Sequence, residues 1–153
     1  MSPDIDERDL QAAADLARET CACFALRHAA RQTTRLFETE LSQAGLSPGQ
    51  FSILSALVLH EEIAFSDLAE RLGMERTSLS RALRPLARDG HITLSPEGPR
   101  RRRSAKITEA GRKTYAGAFP LWQRAQAKAA RQFGPQAWPE LADRLSKLSE
   151  TQT

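Results

Sequence analysis

Arg76-Thr77-Ser78-Leu79-Ser80-Arg81-Ala82-Leu83-Arg84-Pro85-Leu86-Ala87-Arg88 is the stretch on which the reading of this chain turns. Wound as a helix at ~100° per residue, it puts Leu79, Ala82, Leu83 and Leu86 on one side and Thr77, Arg81, Arg84 and Arg88 on the other. The leucine side anchors the helix to a core. The other side presents cations and a hydroxyl at i, i+4, i+7 and i+11, an arrangement that fits the groove of a nucleic-acid duplex. Pro85 withdraws a backbone donor within the helix, as a tolerated kink or as a bend near phosphate contacts.

An arginine stripe on its own is commonly just a solvated face, so its flanks decide the matter. Upstream, Ser66-Asp67-Leu68-Ala69-Glu70-Arg71-Leu72 reads as a short helix with Leu68, Ala69 and Leu72 inward, closed by Gly73. Downstream, Asp89-Gly90 stops the second helix and Ile92-Thr93-Leu94 alternates like a strand. Ser95-Pro96-Glu97-Gly98-Pro99 is turn-forming, and Ala105-Lys106-Ile107 returns. Arg100, Arg101, Arg102 and Arg103 then sit at the tip of a β-hairpin. The fold class expected is mainly α with a small β-hairpin wing: a winged helix-turn-helix.

Charge follows the same segment. From Glu75 to Thr108 nine cations face three anions, a net +6 that leaves −3 for the rest of a chain whose total is +3. Positive charge concentrated on one segment points to double-stranded DNA rather than to a diffuse basic tail. At 153 residues the chain fits one compact domain, or one domain with an oligomerisation arm. The acidic N-terminus lacks the basic and apolar regions of a signal peptide, and the most apolar run, Phe51 to Leu59, is too short to cross a bilayer. The expectation is a cytoplasmic protein with no membrane contact. Two cysteines, Cys21 and Cys23, are too few and too close for a secreted disulfide framework. His28, His60 and His91 have no metal-ligand spacing with them, and phosphate-loop and nucleophile motifs are missing, so neither an enzyme nor a cofactor is expected.

The remaining helices frame the winged segment. A helix running to about Thr20 precedes a long one from Cys21 to Ala44, closed by Gly45. Ser47-Pro48-Gly49-Gln50 combines an N-cap serine, a first-turn proline and a glutamine three residues on, a capping box that opens a helix to about Leu59. Thr108-Glu109 starts another, in which Gly111 lowers propensity and Pro120 should kink the rod. Trp138, Leu141, Leu145 and Leu148 form a narrow seam at 3, 4, 3 spacing. We divide the chain into an N-terminal helical segment (1–46), a DNA-binding lobe (47–108) and C-terminal helices (109–153), the outer two forming a dimerisation lobe. A two-fold homodimer would set two recognition helices roughly one DNA turn (~34 Å) apart, over an inverted repeat.

The chain resembles the MarR family of bacterial transcriptional regulators. The matching residues are Leu46-Ser47-Pro48-Gly49-Gln50-Phe51, Leu68-Ala69-Glu70-Arg71-Leu72-Gly73, Ser80-Arg81 with Leu83 and Leu86, Asp89-Gly90-His91-Ile92, and Ile107-Thr108-Glu109-Ala110-Gly111, within a span from about Phe24 to Leu148. The resemblance implies a dimeric regulator, most commonly a repressor. Major-groove contacts would fall on Thr77, Ser78, Ser80, Arg81 and Arg84, supported by Arg76 and Arg88, and minor-groove contacts on the wing arginines, with Arg101 the best match. An arginine in a narrow minor groove favours A/T-rich flanks. The aspartate usual two positions before the wing arginine is replaced by Pro99, which leaves open which arginine enters the groove.

The resemblance also implies a signal. Members commonly release DNA when a small anionic or aromatic ligand binds between the lobes. Arg27, His28 and Arg31 are the candidate counter-charges, with Phe51 and Trp122 as apolar walls. One branch instead oxidises a cysteine of the N-terminal helix, which makes Cys21 and Cys23 the alternative; on a helix they would point ~200° apart, a poor geometry for an internal disulfide. A non-specific architectural DNA binder or a protein-docking winged helix is the further alternative.

Overall fold

The computed structural model describes residues 6–96 and 103–150, which form seven α-helices and three β-strands. The chain divides into two compact units, Met1–Arg35 and Leu36–Thr153. In the first, α1 (Glu7–Thr20) begins after Asp6 with Glu7 and Asp9 in its first turn, where carboxylates meet the positive end of the helix dipole. It ends at Cys21, whose backbone is extended (φ −70°, ψ 105°), and α2 (Ala22–Leu41) begins one residue later. This corrects the expectation that Cys21 lies on a helix. The Phe24 N–H points at its Sγ, 3.4 Å away, so the thiol stands at a helix start. Leu10, Leu16, Phe24 and Leu26 are exposed.

The second unit carries the winged fold. A 3-10 turn (Ser42–Ala44) and Gly45 lead to α3 (Pro48–His60). Its capping box is formed: Gln50 N donates to Ser47 Oγ at 3.2 Å and Ser47 N to Gln50 Oε1 at 2.8 Å. Then come β1 (Glu62–Ala64), α4 (Phe65–Leu72), α5 (Arg76–Arg88), β2 (Ile92–Leu94), β3 (Ser104–Ile107), α6 (Glu109–Phe133) and α7 (Trp138–Glu150). The turn between α4 and α5 places Gly73 at φ +59°, a left-handed position that glycine adopts without steric cost. α6 continues through the exposed Pro120.

The wing is more than a hairpin. The sheet order is β1-β3-β2, both pairs antiparallel, with Ile63 opposite Ala105 and Ile92 opposite Ile107. The strand missed in the sequence, β1, covers the outer edge of β3 and ties the wing to the residue after α3, through Ile107 N donating to Glu61 O at 3.1 Å. Beneath the sheet, Leu54 and Leu57 of α3, Leu68 of α4 and Leu79, Leu83 and Leu86 of α5 are essentially inaccessible. Each such side chain contributes roughly 1.5–3 kcal/mol through burial. Together they fix which side of α5 faces out.

Thr108 joins wing to rod. Its hydroxyl accepts from Gly111 N at 3.0 Å, capping α6, and donates to the Gly90 carbonyl at 2.7 Å. At the end of α2, Glu40 is buried against α6, where Arg124 Nε lies 3.1 Å from its carboxylate and Lys128 Nζ contacts the other oxygen. These two cations hold the Glu40 carboxyl below its ordinary range.

Candidate DNA-binding surface and ligand cavity

α5 presents the expected outward face. Arg76, Thr77, Ser78, Arg81, Arg84 and Arg88 are exposed, while Ser80 is half-buried. The cations are not equivalent. Arg88 forms a two-pronged ion pair with Asp89, Nε to Oδ1 at 2.8 Å and the second nitrogen to Oδ2 at 3.2 Å. The contact raises the Arg88 pKa and lowers that of the Asp89 carboxyl, so its charge is already answered within the chain. Arg81 and Arg84 have no ion-pair partner among the described residues. Pro85 deprives the Arg81 carbonyl of its helical hydrogen bond, in the middle of the stripe.

Arg100, Arg101 and Arg102 lie outside the described residues. Of the four arginines expected at the hairpin tip, Arg103 alone is among the described residues. It immediately precedes β3, and its carbonyl accepts from Phe65 N at 2.9 Å, which fixes it at the root of the wing. Its guanidinium lies over the Phe65 ring, 4.8 Å from the centroid, a cation–π contact. Arg103, Arg76, Ser66 and Ser80 line a concavity of about 580 Å³ beside the start of α5.

Phe51 and Trp122 come together in the second unit. Their rings stack at 6.0 Å, Phe51 also stacks on Tyr115 at 5.0 Å, and Phe119 on Trp122 at 5.6 Å. These rings wall a cavity of about 420 Å³ between α3, α4 and α6. Its polar lining comprises Ser52, His60, Arg71 and the Ser55 and Tyr115 hydroxyls, the last two 3.4 Å apart. Arg71 and His60 are the cationic or protonatable groups beside the rings in this unit, and the sequence reading missed both. The signal available for Arg71 was its place in the last turn of α4, one residue from the inward Leu72. Arg27, His28 and Arg31 belong to the first unit, where Arg27 and Arg31 share a concavity with Cys21, Cys23 and Phe24, and His28 stacks on Phe24 at 6.1 Å. Among the described residues there is no cluster of three metal-ligating side chains, and no helix is long and apolar enough to cross a membrane.

A helix-turn-helix whose second helix exposes arginines, backed by a three-stranded sheet that leads into a wing, defines a winged-helix DNA-binding protein. The MarR family profile matches residues 44–103. The M. tuberculosis transcriptional regulator MosR is 33% identical over 88% of this chain and 97% of its own, with a TM-score of 0.77. MosR in complex with DNA gives 34% identity over 86% and 95% and a TM-score of 0.75. Bordetella bronchiseptica BpsR, whose DNA binding is regulated by 6-hydroxynicotinic acid, shares the fold at 18% identity over 86% and 95%, with a TM-score of 0.77. Comparison with curated protein sequences returned no match. The chain belongs to the MarR family of transcriptional regulators.

Proposed function

We propose that this regulator is a repressor that binds an inverted-repeat operator as a homodimer, placing α5 of each protomer in the major groove and the wing in the adjacent minor groove. The observation that carries the reading is the division of α5: Leu79, Leu83 and Leu86 are inaccessible while Thr77, Arg81 and Arg84 face outward. A helix so anchored presents its cations in one fixed orientation, as base readout requires. The DNA complex of MosR, a relative at 34% identity, supports it. Dimerisation is supported by apolar side chains that the protomer leaves exposed, among them Leu10, Leu16 and Leu148.

Release by a small ligand is assigned to the cavity of Phe51, Tyr115, Phe119 and Trp122. Flat aromatic compounds match its stacked rings, and a carboxylate or phenolate matches Arg71. The ligand must favour a form unable to bind DNA; taking that equilibrium from 1:99 to 99:1 needs ~5.5 kcal/mol of differential affinity. A second reading, thiol control through Cys21 and Cys23, is supported by the break at Cys21, which leaves both thiols exposed at the α1–α2 junction.

Selection of bound duplexes from a random pool at near-physiological salt tests the proposal. Enrichment of a pseudo-palindrome is the expected result. An unselective pool that still binds would point to an architectural protein, and weak binding throughout to a docking module.

A further inference from the structure

Phe65, the first residue of α4, is tied twice to the residue that precedes β3. Its N–H donates to the Arg103 carbonyl at 2.9 Å, and its ring lies under the Arg103 guanidinium at 4.8 Å. Stacking on a ring face restrains a long cationic side chain, while the in-plane N–H groups of a guanidinium stay suited to an oxyanion. Arg103 lines the concavity of about 580 Å³ together with Ser66, Asp67, Arg76 and Ser80. Asp67 is the one carboxylate of that lining, and its Oδ1 accepts from the Ser66 hydroxyl at 2.8 Å. Two guanidiniums against one carboxylate leave the lining net positive.

This concavity lies between the two elements assigned to DNA. Arg76 begins α5 and Arg103 stands at the wing root. A helix in the major groove and a wing in the adjacent minor groove straddle one sugar–phosphate strand, which must pass between them. We propose that the concavity takes a phosphate of that strand, with Arg103 and Arg76 as its cationic partners, and that Phe65 is the positioning residue that holds Arg103 in place. The assignment rests on the DNA reading above and takes Arg103 out of the set expected in the minor groove. A phosphate contact carries no base information; it fixes the register of α5 and strengthens binding to every duplex alike.

The test titrates the whole protein against a mixed-sequence duplex over a series of salt concentrations. Arg103→Gln and Arg76→Gln should each weaken binding about tenfold at low salt and flatten the slope of log affinity against log salt by about 0.9 for each protomer bound. Phe65→Leu keeps an apolar residue at the start of α4 and should weaken binding roughly three- to tenfold, after which Arg103→Gln should add little. Arg103→Lys keeps the charge but gives up the flat stack, and should fall closer to Arg103→Gln than to the wild type. An unchanged slope in either glutamine variant overturns the phosphate site. So does a loss confined to duplexes with A/T-rich flanks, which would put Arg103 in the minor groove. Full additivity of Phe65→Leu and Arg103→Gln overturns the part given to Phe65. Should Phe65→Leu fail to fold, Arg103→Lys decides that part, and wild-type binding by the lysine variant overturns it. A wild type that binds without sequence preference removes the operator reading but not this site, which is read on mixed sequence; one that binds no duplex overturns both.

Discussion

Gly111 packs directly against the main chain of His91, so that a β-carbon at 111 would collide with the His91 carbonyl oxygen and lie 3.0 Å from Ile107 Cγ1. A weak spot for helix propensity is therefore the point where α6 closes on the base of the wing. The same carbonyl accepts from Thr108 N at 3.1 Å, so it has no freedom to swing away. The obstacle is backbone, which cannot yield as a flexible side chain would.

Gly111→Ala should accordingly destabilise the protein by about 1–3 kcal/mol, despite alanine's better helix propensity. Urea denaturation of the variant measures it. A neutral or stabilising effect would mean that α6 shifts at no cost.

Glu40 links stability to pH. Its folded pKa lies below the ordinary 4.5, because Lys128 and Arg124 contact the carboxylate. The unfolded chain therefore binds more protons in that window, and this contribution is present above about 4.5 and lost as pH falls below it. The urea midpoint of the wild type should drop more steeply through that range than that of Glu40→Gln. Parallel profiles would remove Glu40 as the source.

The unequal pairing of the α5 cations leads to a contrast. Arg81→Ala should relax base preference at one operator position by roughly 1–3 kcal/mol. Arg88→Ala should change affinity less, because Asp89 already neutralises that guanidinium at 2.8 Å. Binding titrations against single-base operator variants separate the two. Equal losses would show that the Arg88–Asp89 pair opens on DNA.

The ring cavity is tested with salicylate as probe. Trp122 stacks with Phe51 in the cavity, whereas Trp138 stacks on Phe133 at 5.3 Å and is not among the residues lining it. Salicylate should quench tryptophan emission in Trp138→Phe and leave it unchanged in Trp122→Phe. Quenching in both variants would place the ligand elsewhere.

What the sequence revealed was local. The α5 stripe, the Ser47 capping box and the Thr108 cap each lie within a few residues of chain, where periodicity and capping chemistry act. β1 was hidden because it is three residues long with one buried side chain, Ile63, and becomes a strand only by pairing with β3, some forty residues later. His60 gave no sign of lining a cavity, and Arg71 only its place beside the inward Leu72, since packing of α3, α4 and α6 brings them to the rings. Nothing in Glu19-Thr20-Cys21-Ala22 breaks a helix by composition, so the extended Cys21 was invisible as well. The Arg103 contacts with Phe65 join residues far apart in the chain and had no local signal.

One residue, Thr108, separates β3 from α6. The strand that begins next to Arg103 and the rod that carries Tyr115, Phe119 and Trp122 thus have almost no slack between them. At ~1.5 Å per residue the 25-residue α6 is roughly 37 Å long, a lever whose short arm ends at the Gly111–His91 fulcrum. A tilt of α6 imposed at the rings would meet no loop on its way to the wing root that could absorb it.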